Sequence, residues 1–324
     1  MTAVRVGTRS SALALAQTRQ VADSLAKASG LEVELVPITT HGDTTTESLA
    51  QLGGTGVFTG ALRDALLRGE IDVAVHSLKD LPTAPHPDIA LAAVPKRADA
   101  RDVLCARDRL TLDTLPAGSR VGTGSPRRVA QLKALRPDLE VVDIRGNIDT
   151  RLGRVFGDAD VDRRLDAIIL AAAGLGRLRR GDAATQYLEL GDWPTAPGQG
   201  ALALETRRKK DISADGRALA QGLAAINHVT TRGTVAAERA VLAGLEAGCA
   251  APLGTTALVE DGLLFLTATV YKPDGTQRLT SSHAASLEGT GQSALLEAAE
   301  DASQRVVDEL LAGGAATLAP LGGV

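Results

Sequence analysis

The stretch Arg120-Val-Gly-Thr-Gly-Ser-Pro-Arg-Arg-Val-Ala-Gln-Leu-Lys-Ala-Leu-Arg-Pro-Asp-Leu-Glu-Val-Val-Asp-Ile144 reads as a strand, a helix and a second strand. Arg120 to Thr123 is strand-like and runs into a glycine-bearing turn. Ser125 suits an N-cap, Pro126 fits the first helical turn, and the helix continues to Leu135. Leu139 to Ile144 then forms the next strand. Short strands alternating with helices argue for parallel, doubly wound sheets.

The alternation repeats on both sides of this unit. Upstream, Val4 and Val6 flank Arg5 in a strand, and helical spacing runs from Leu15 to Ala26 with Gly30 as its stop. Leu31 to Ile38 is a strand, Phe58 to Arg68 a helix and Ile71 to His76 a strand, after a polar loop from Thr39 to Gly56. Downstream, a helix follows Asn147, and Ala167 to Ala173 reads as a buried strand. The pattern occurs twice, around residues 1–95 and 100–195, and predicts two similar α/β lobes. The last hundred residues differ. A helix over Leu223 to Leu245 leads into a small-residue loop, hairpin turns follow at Asp261-Gly262 and Lys272-Pro-Asp-Gly275, and Gln292 to Leu311 is an amphipathic helix. These predict a third, antiparallel α+β domain. The expected division is 1–98 with 199–218 as the first lobe, 99–198 as the second and 219–324 as the third domain.

Composition narrows the function. The chain has 324 residues, enough for two or three domains, and a net charge of -4 with only 2% aromatics. That acidity and scarcity of stacking groups argue against a nucleic-acid binder. The longest apolar run, Ala167 to Leu175, is too short to span a bilayer, so no membrane association is expected. The beginning of the chain lacks a signal-peptide layout, and Cys105 and Cys249 suggest no disulfide framework. A cytoplasmic location is expected.

Within Gly122-Thr-Gly-Ser-Pro-Arg-Arg128, a helix start coincides with Arg127 and Arg128. Exposed N–H groups, the positive end of the helix dipole and two guanidiniums suit carboxylate or phosphate. The plainer alternative is a solvated helix start. Asp143-Ile-Arg-Gly-Asn-Ile-Asp-Thr-Arg151 repeats the arrangement with Arg145 and Arg151, and Gly7-Thr-Arg-Ser-Ser11 is a weaker third instance. Residues 120–180 hold 12 Arg and 1 Lys against 8 acidic residues, so positive charge gathers in the second lobe. Neither the P-loop pattern nor the third glycine of the dinucleotide fingerprint is present, which favours an organic polyanion over a nucleotide. The five histidines show no paired-ligand spacing, so no catalytic metal is expected. His76-Ser-Leu-Lys-Asp-Leu-Pro82 directly follows a strand, where open sheets place ligand groups. Lys79 could bind an anion and Asp80 could act as acid, base or cation stabiliser, although a capped turn ahead of Pro82 explains the same residues. Cys249 lies among Ala247, Gly248, Ala250, Ala251 and Pro252, an open loop able to carry an adduct, whereas Cys105 suits an inert buried role.

At these residues the sequence resembles the porphobilinogen deaminase family. The resemblance rests on Gly7-Thr-Arg-Ser-Ser-Ala-Leu-Ala-Leu15, His76-Ser-Leu-Lys-Asp-Leu-Pro82, Gly122-Thr-Gly-Ser-Pro-Arg-Arg128 and Arg145-Gly-Asn-Ile-Asp-Thr-Arg-Leu152. It continues through Asp166-Ala-Ile-Ile-Leu-Ala-Ala-Ala-Gly174, Pro197-Gly-Gln-Gly-Ala201 and Leu245-Glu-Ala-Gly-Cys249. It implies two hinged lobes like a type II periplasmic binding protein, with the active site between them, plus a small third domain. It implies a monomeric transferase of tetrapyrrole biosynthesis, joining four porphobilinogen molecules head to tail with loss of ammonia and releasing hydroxymethylbilane. A dipyrromethane cofactor would be attached to Cys249 by a thioether, and the catalytic aspartate would be Asp80. The cofactor would be held by Ser77, Lys79, Thr123, Ser125, Arg127, Arg128, Arg145 and Gly146. Arg9, Ser11, Phe58, Arg151, Arg177 and Gln199 would meet substrate. One departure stands in Gln51-Leu-Gly-Gly-Thr-Gly-Val-Phe58, where many members carry lysines at the positions of Gln51 and Thr55. No charge role is expected of that loop.

The rival reading is a two-lobed receptor or sensor for a carboxylate ligand, without catalysis. It fits the arginine-bearing helix starts but leaves Asp80 and the open cysteine loop unexplained.

Overall fold

The computed structural model describes residues 3–39, 59–157, 160, 163–208, 213–248 and 250–321. Gln51, Thr55, Phe58 and Cys249 fall outside the described residues.

The first sheet is built from β1 (Val4–Arg9), β2 (Val33–Ile38), β3 (Val73–Ser77), β4 (Ile89–Ala93) and β10 (Leu202–Arg207), in the order β2-β1-β3-β10-β4. The second contains β5 (Asp102–Ala106), β6 (Arg120–Gly122), β7 (Glu140–Val142), β8 (Ala167–Ala171) and β9 (Gln186–Leu188), in the order β7-β6-β8-β5-β9. Both are mixed rather than wholly parallel, which corrects the expectation from strand–helix alternation. β10 runs antiparallel to β3 and β4, and β5 runs antiparallel to β8 and β9. The physical reason is connectivity. The chain leaves the first sheet after β4 and enters the second directly through β5, then returns after β9 directly through β10. Neither crossing includes a helix that could reverse direction, so each entering strand must run against its neighbours. Residues 94–101 and 189–201 are thus the two connections between the lobes.

Helices cover the sheets. In the first lobe, α1 (Ala12–Ser29) is capped by Ser11, whose Oγ accepts from Ala14 N at 3.3 Å, and is closed by Gly30 at φ 71°. It packs with α6 (Ala214–Ile226) around Val6, Val21, Leu25 and Leu204, while α2 (Gly60–Leu67) covers the other face of the sheet around Leu62 and Ile71. The second lobe carries α3 (Pro126–Leu135), α4 (Ile148–Phe156) and α5 (Ala172–Arg177). Ala172 and Ala173, expected to extend a strand, already belong to α5 because β5 ends its pairing with β8 at Ala171. Gly124 matters at this edge: a Cβ there would meet Ile144 O at 2.7 Å, so glycine lets two adjacent strand-to-helix turns abut.

The third sheet is the antiparallel meander β11 (Leu253–Glu260), β12 (Leu263–Tyr271) and β13 (Arg278–Ser286), with turns at the expected Asp261-Gly262 and Lys272–Gly275 positions. It is backed by α7 (Val229–Gly244) and α8 (Gln292–Ala312), and α9 (Ala315–Leu318) follows. Its core includes Val241, Leu266, Ala302 and Val306. One expected helix, Leu223 to Leu245, is two. The break falls at Asn227 and His228, which bond the first connection instead of each other: Asn227 Oδ1 accepts from Val94 N at 2.9 Å and His228 N donates to Val94 O at 2.8 Å. His228 then caps α7, its Nδ1 accepting from Thr231 N at 3.1 Å.

Candidate active site

In both lobes the parallel strands present their carboxyl ends to the same edge, where open sheets bind ligands. Arg9 ends β1 and Ser77 ends its neighbour β3. In the second sheet, Thr123 to Arg128 follow β6, Asp143 to Arg151 follow β7, and Arg177 ends the short helix after β8. Turn chemistry thus brings most of the expected residues to two facing edges.

The turn after β3 is a single 3-10 turn, Leu78–Asp80, that displays Lys79 and Asp80 half-buried. Its framework is backbone. Leu81 N donates to Leu78 O at 3.1 Å and Leu78 N donates to Ala201 O at 3.0 Å. From α7, Arg239 Nη1 donates to Leu78 O and Leu81 O at 3.0 and 2.8 Å, and Nη2 donates to Pro82 O at 2.8 Å. Ser77 Oγ lies 3.3 Å from Gln17 Oε1. Burial pulls the Lys79 ammonium below its usual value, and Arg128 and Arg127 push the same way while Asp80 and Asp102 oppose. Lys79 of the first lobe is therefore electrically in contact with the arginines of the second.

Those arginines are not solvated. Arg127 and Arg128 are only 3% and 6% exposed and turn onto the carboxylate of Asp102, which is wholly buried. Arg127 Nη2 donates to Asp102 Oδ2 at 2.9 Å, while its Nη1 donates to Gln131 Oε1 at 2.7 Å and Pro194 O at 3.0 Å. Arg128 clasps Asp102 through Nε at 3.1 Å and Nη2 at 2.6 Å, and its Nη1 donates to Ile169 O. Trp193 Nε1 and Gln199 Nε2 complete the node, each at 2.8 Å from an Asp102 oxygen. Burial alone would raise the Asp102 carboxyl, but Arg127 and Arg128 overcome it and hold the group far below the carboxylate range. Forks expected to point at a ligand are thus largely occupied by the protein.

Arg151 and Arg145 are less enclosed. Arg151 Nε donates to Gly146 O at 2.8 Å, and Arg145 Nε stands 3.8 Å from Asp143 Oδ2. Gly146 adopts φ 99°, a left-handed turn that carries this carbonyl to Arg151. Burial lowers Arg151 to about 10, with Arg128 and Arg145 adding to the effect and Asp143 opposing it. Burial likewise lowers Arg177 to about 10, and its Nη2 donates to Gly200 O at 2.8 Å. Lys79, Arg127, Arg128, Arg145 and Arg151 thus form one electrostatic group, with Arg177 joined to the second connection.

Other expected residues have local employment. Ser11 caps α1, Thr123 is buried with its Oγ1 accepting from Ser125 N at 3.2 Å, and Ser125 occupies the N-cap of α3 without a side-chain cap bond. Gln199 is buried, its Nε2 also donating to Ala100 O at 2.8 Å. Cys105 is buried in β5, and burial pushes its thiol up to about 12, an inert state. Sequence reading missed Asp102, Glu238 and Arg239. Asp102 had a signal, an acid opening the apolar strand Asp102–Ala106; the other two are ordinary helix residues until α7 is docked. Among the described residues, no cluster of His, Cys, Asp and Glu could hold a metal, and no helix is long and apolar enough to cross a membrane.

Comparison with known proteins bears on this arrangement. Residues 4–215 match the family model described as porphobilinogen deaminase, dipyromethane cofactor binding domain, and residues 233–312 match porphobilinogen deaminase, C-terminal domain. A porphobilinogen deaminase of Leifsonia xyli subsp. xyli is 63% identical, covering 99% of this chain and 96% of its own. One from Micrococcus luteus is 54% identical over 87% of this chain and 82% of its own. Porphobilinogen deaminase 1 of Streptomyces coelicolor is 50% identical over 98% and 97%. Among solved structures, the methionine binding protein MetQ superposes with a TM-score of 0.42 at 14% identity, covering 68% of this chain and 90% of that one.

Proposed function

The chain belongs to the porphobilinogen deaminase family, and from that premise we propose how its cleft performs the reaction. It is a transferase acting on porphobilinogen in porphyrin biosynthesis, and the non-catalytic receptor reading is not favoured. Its finer chemistry is stepwise head-to-tail joining of four porphobilinogen molecules with loss of ammonia, then hydrolytic release of hydroxymethylbilane.

The reading rests on one observation. Lys79, Arg151 and Arg177 are cations whose charged forms are disfavoured by burial, and the first two face further arginines. Carboxylates entering the cleft relieve that surplus. Each porphobilinogen carries an acetate and a propionate, so a lengthening chain of such units brings the charge that this site lacks.

The same donors suit a dipyrromethane, whose side chains are also carboxylates. Lys79, Ser125, Arg145 and Arg151 would hold them, bordered by Ser77, Thr123, Arg127, Arg128 and Gly146, and Cys249 would carry the thioether. When bound, the dipyrromethane supplies the free pyrrole α-carbon on which the product is built. Arg9, Ser11, Phe58, Arg177 and Gln199 would orient the incoming substrate. Asp80, presented on the turn that Arg239 anchors, would accept a pyrrole N–H bond and stabilise the cation left when ammonia departs from the substrate. Holding reactants in one geometry and stabilising charge is the whole task of the side chains here.

The lobes of this cleft are read as 1–98 with 199–218 and 99–198, with 219–324 as the third domain. The protein is read as a cytoplasmic monomer. Intact mass spectrometry of the purified chain tests the central claim. A mass excess of two linked pyrroles, absent from Cys249→Ser, is the expected result, together with ammonia release on adding porphobilinogen. An unmodified wild-type mass from protein that turns over would refute the covalent attachment.

A further inference from the structure

Asp102 is in no role considered so far, yet more side chains converge on it than on Asp80. It opens β5, the strand by which the chain enters the second lobe, and it is fully buried. Its two oxygens accept from four residues in two places. Arg127 and Arg128 come from the first turn of α3, while Trp193 and Gln199 come from the return connection, residues 189–201. Gln131, one turn further along α3, donates through Nε2 to Pro194 O at 2.9 Å and lies 3.3 Å from Tyr271 Oη of the third domain. One carboxylate therefore ties the entering connection, the returning connection and the arginine-bearing helix start.

We propose that Asp102 is a positioning residue for the reaction: it fixes the arginine pair of α3 to both inter-lobe connections and so sets where those guanidiniums stand at the root of the cleft. The inference rests on the reading of that cleft as the carboxylate-binding site. Charge balance alone does not account for the node. One carboxylate meets two guanidiniums, leaving a net positive charge that a simple structural ion pair would not retain, and the indole and amide donors fix the carboxylate's orientation as well as its charge. Arg127 Nε has no partner among the described residues although it is buried, so this guanidinium is held in place with one donor unused.

Trp193 is the chain's one tryptophan, so its emission reports on this node directly. The test compares wild type with Asp102→Asn and with Asp102→Glu, which keeps the net charge of the node but displaces the carboxylate. Each is measured for melting temperature, Trp193 emission, fraction carrying the two-pyrrole mass increment, and kcat and KM. In Asp102→Asn the expected result is a shifted Trp193 emission, a reduced loaded fraction and a kcat lower by about a hundredfold, the scale of a misplaced catalytic group. Asp102→Glu should keep more of the melting temperature than Asp102→Asn without regaining load or kcat. A folded Asp102→Glu variant with wild-type load and kcat within about twofold of wild type would overturn the proposal, since charge alone would then suffice. Failure of both variants to fold would overturn it too, by assigning Asp102 to folding. A wild-type chain without the increment would instead remove the reading of the cleft, independently of Asp102.

Discussion

Replacing Glu238 by glutamine should loosen the joint that holds the three parts of the molecule together. Glu238 lies in α7 and is wholly buried. Its carboxylate accepts from Arg97 Nη1 at 2.7 Å and Nη2 at 3.0 Å, from Gly198 N at 2.7 Å and from Ala257 N at 3.2 Å. Arg97 belongs to the first connection, Gly198 to the second and Ala257 to β11, so one side chain bonds both crossings and the third sheet. Glutamine keeps the shape but places an NH2 group where donors already converge, and it leaves the Arg97 charge, 14% exposed, without its partner. Breaking a buried pair from one side costs about 3–5 kcal/mol. For a chain of this size that corresponds to a fall in melting temperature of roughly 4–7 °C. Calorimetry on wild type and variant, both loaded, measures it. A second arm replaces Arg97 and Glu238 together by methionine, which removes the stranded charge and should recover part of the loss. A fall below about 3 °C for Glu238→Gln, or no recovery in the double variant, would refute the reasoning by showing that solvent rather than Glu238 balances Arg97.

Three further outcomes follow from the same structure. Asp80→Asn should lower the rate of ammonia release by about 10²–10³ with an unchanged melting temperature, because the turn is held by backbone bonds and Arg239; near-normal release would remove Asp80 from the chemistry. Gly275→Ala should destabilise by about 1–3 kcal/mol in urea unfolding, since Gly275 has φ 78° and a Cβ would stand 2.6 Å from Ala134 N, prising the third-domain hairpin from α3. Burial alone would raise the Glu205 carboxyl, but His76 and Arg63 hold it at about 2, so its contribution is complete above about 4.5 and is lost as pH falls towards about 2. The stability gap between wild type and Glu205→Gln should therefore be constant near neutrality and narrow below about pH 4.5, measured by unfolding at several pH values.

Much of the fold was legible because its signals are local. Ser11, Gly30, Pro126 and Asn147 are helix-end residues that act where they stand, and Asp261-Gly262 sets a hairpin whatever surrounds it. What escaped depends on distant chain. Nothing within Leu202–Arg207 or Asp102–Ala106 says that each strand runs against its neighbours; that follows from which sheet the chain has just left. The site divides in the same way. Strand-to-helix turns announced Arg127, Arg145 and Arg151, but a guanidinium's direction depends on its partner. The partner of Arg127 and Arg128 lies 26 residues or fewer upstream across the sheet, in a strand otherwise read as apolar core. Forks that look free in sequence are therefore half engaged in the fold.

That engagement clarifies what α7 does. A cleft crowded with cations repels itself, and the lobes are joined by the two connections and by a small contact of α1 with α5. Along one helix, Arg232 donates to Leu91 O, Glu238 gathers Arg97 and Gly198, and Arg239 grips the carbonyls of Leu78, Leu81 and Pro82. The same helix ends at Gly244 and continues as Leu245 to Gly248, where Gly248 N donates to Leu321 O at 2.9 Å, immediately before Cys249. Six residues of helix from Arg239 to Gly244 span about 9 Å. Under the proposed attachment, Gly248, the residue before the anchor, and the turn presenting Asp80 are thus both tied to the one helix α7 or its continuation. The arginines of the second lobe would then be the groups that take up the carboxylates of a lengthening chain.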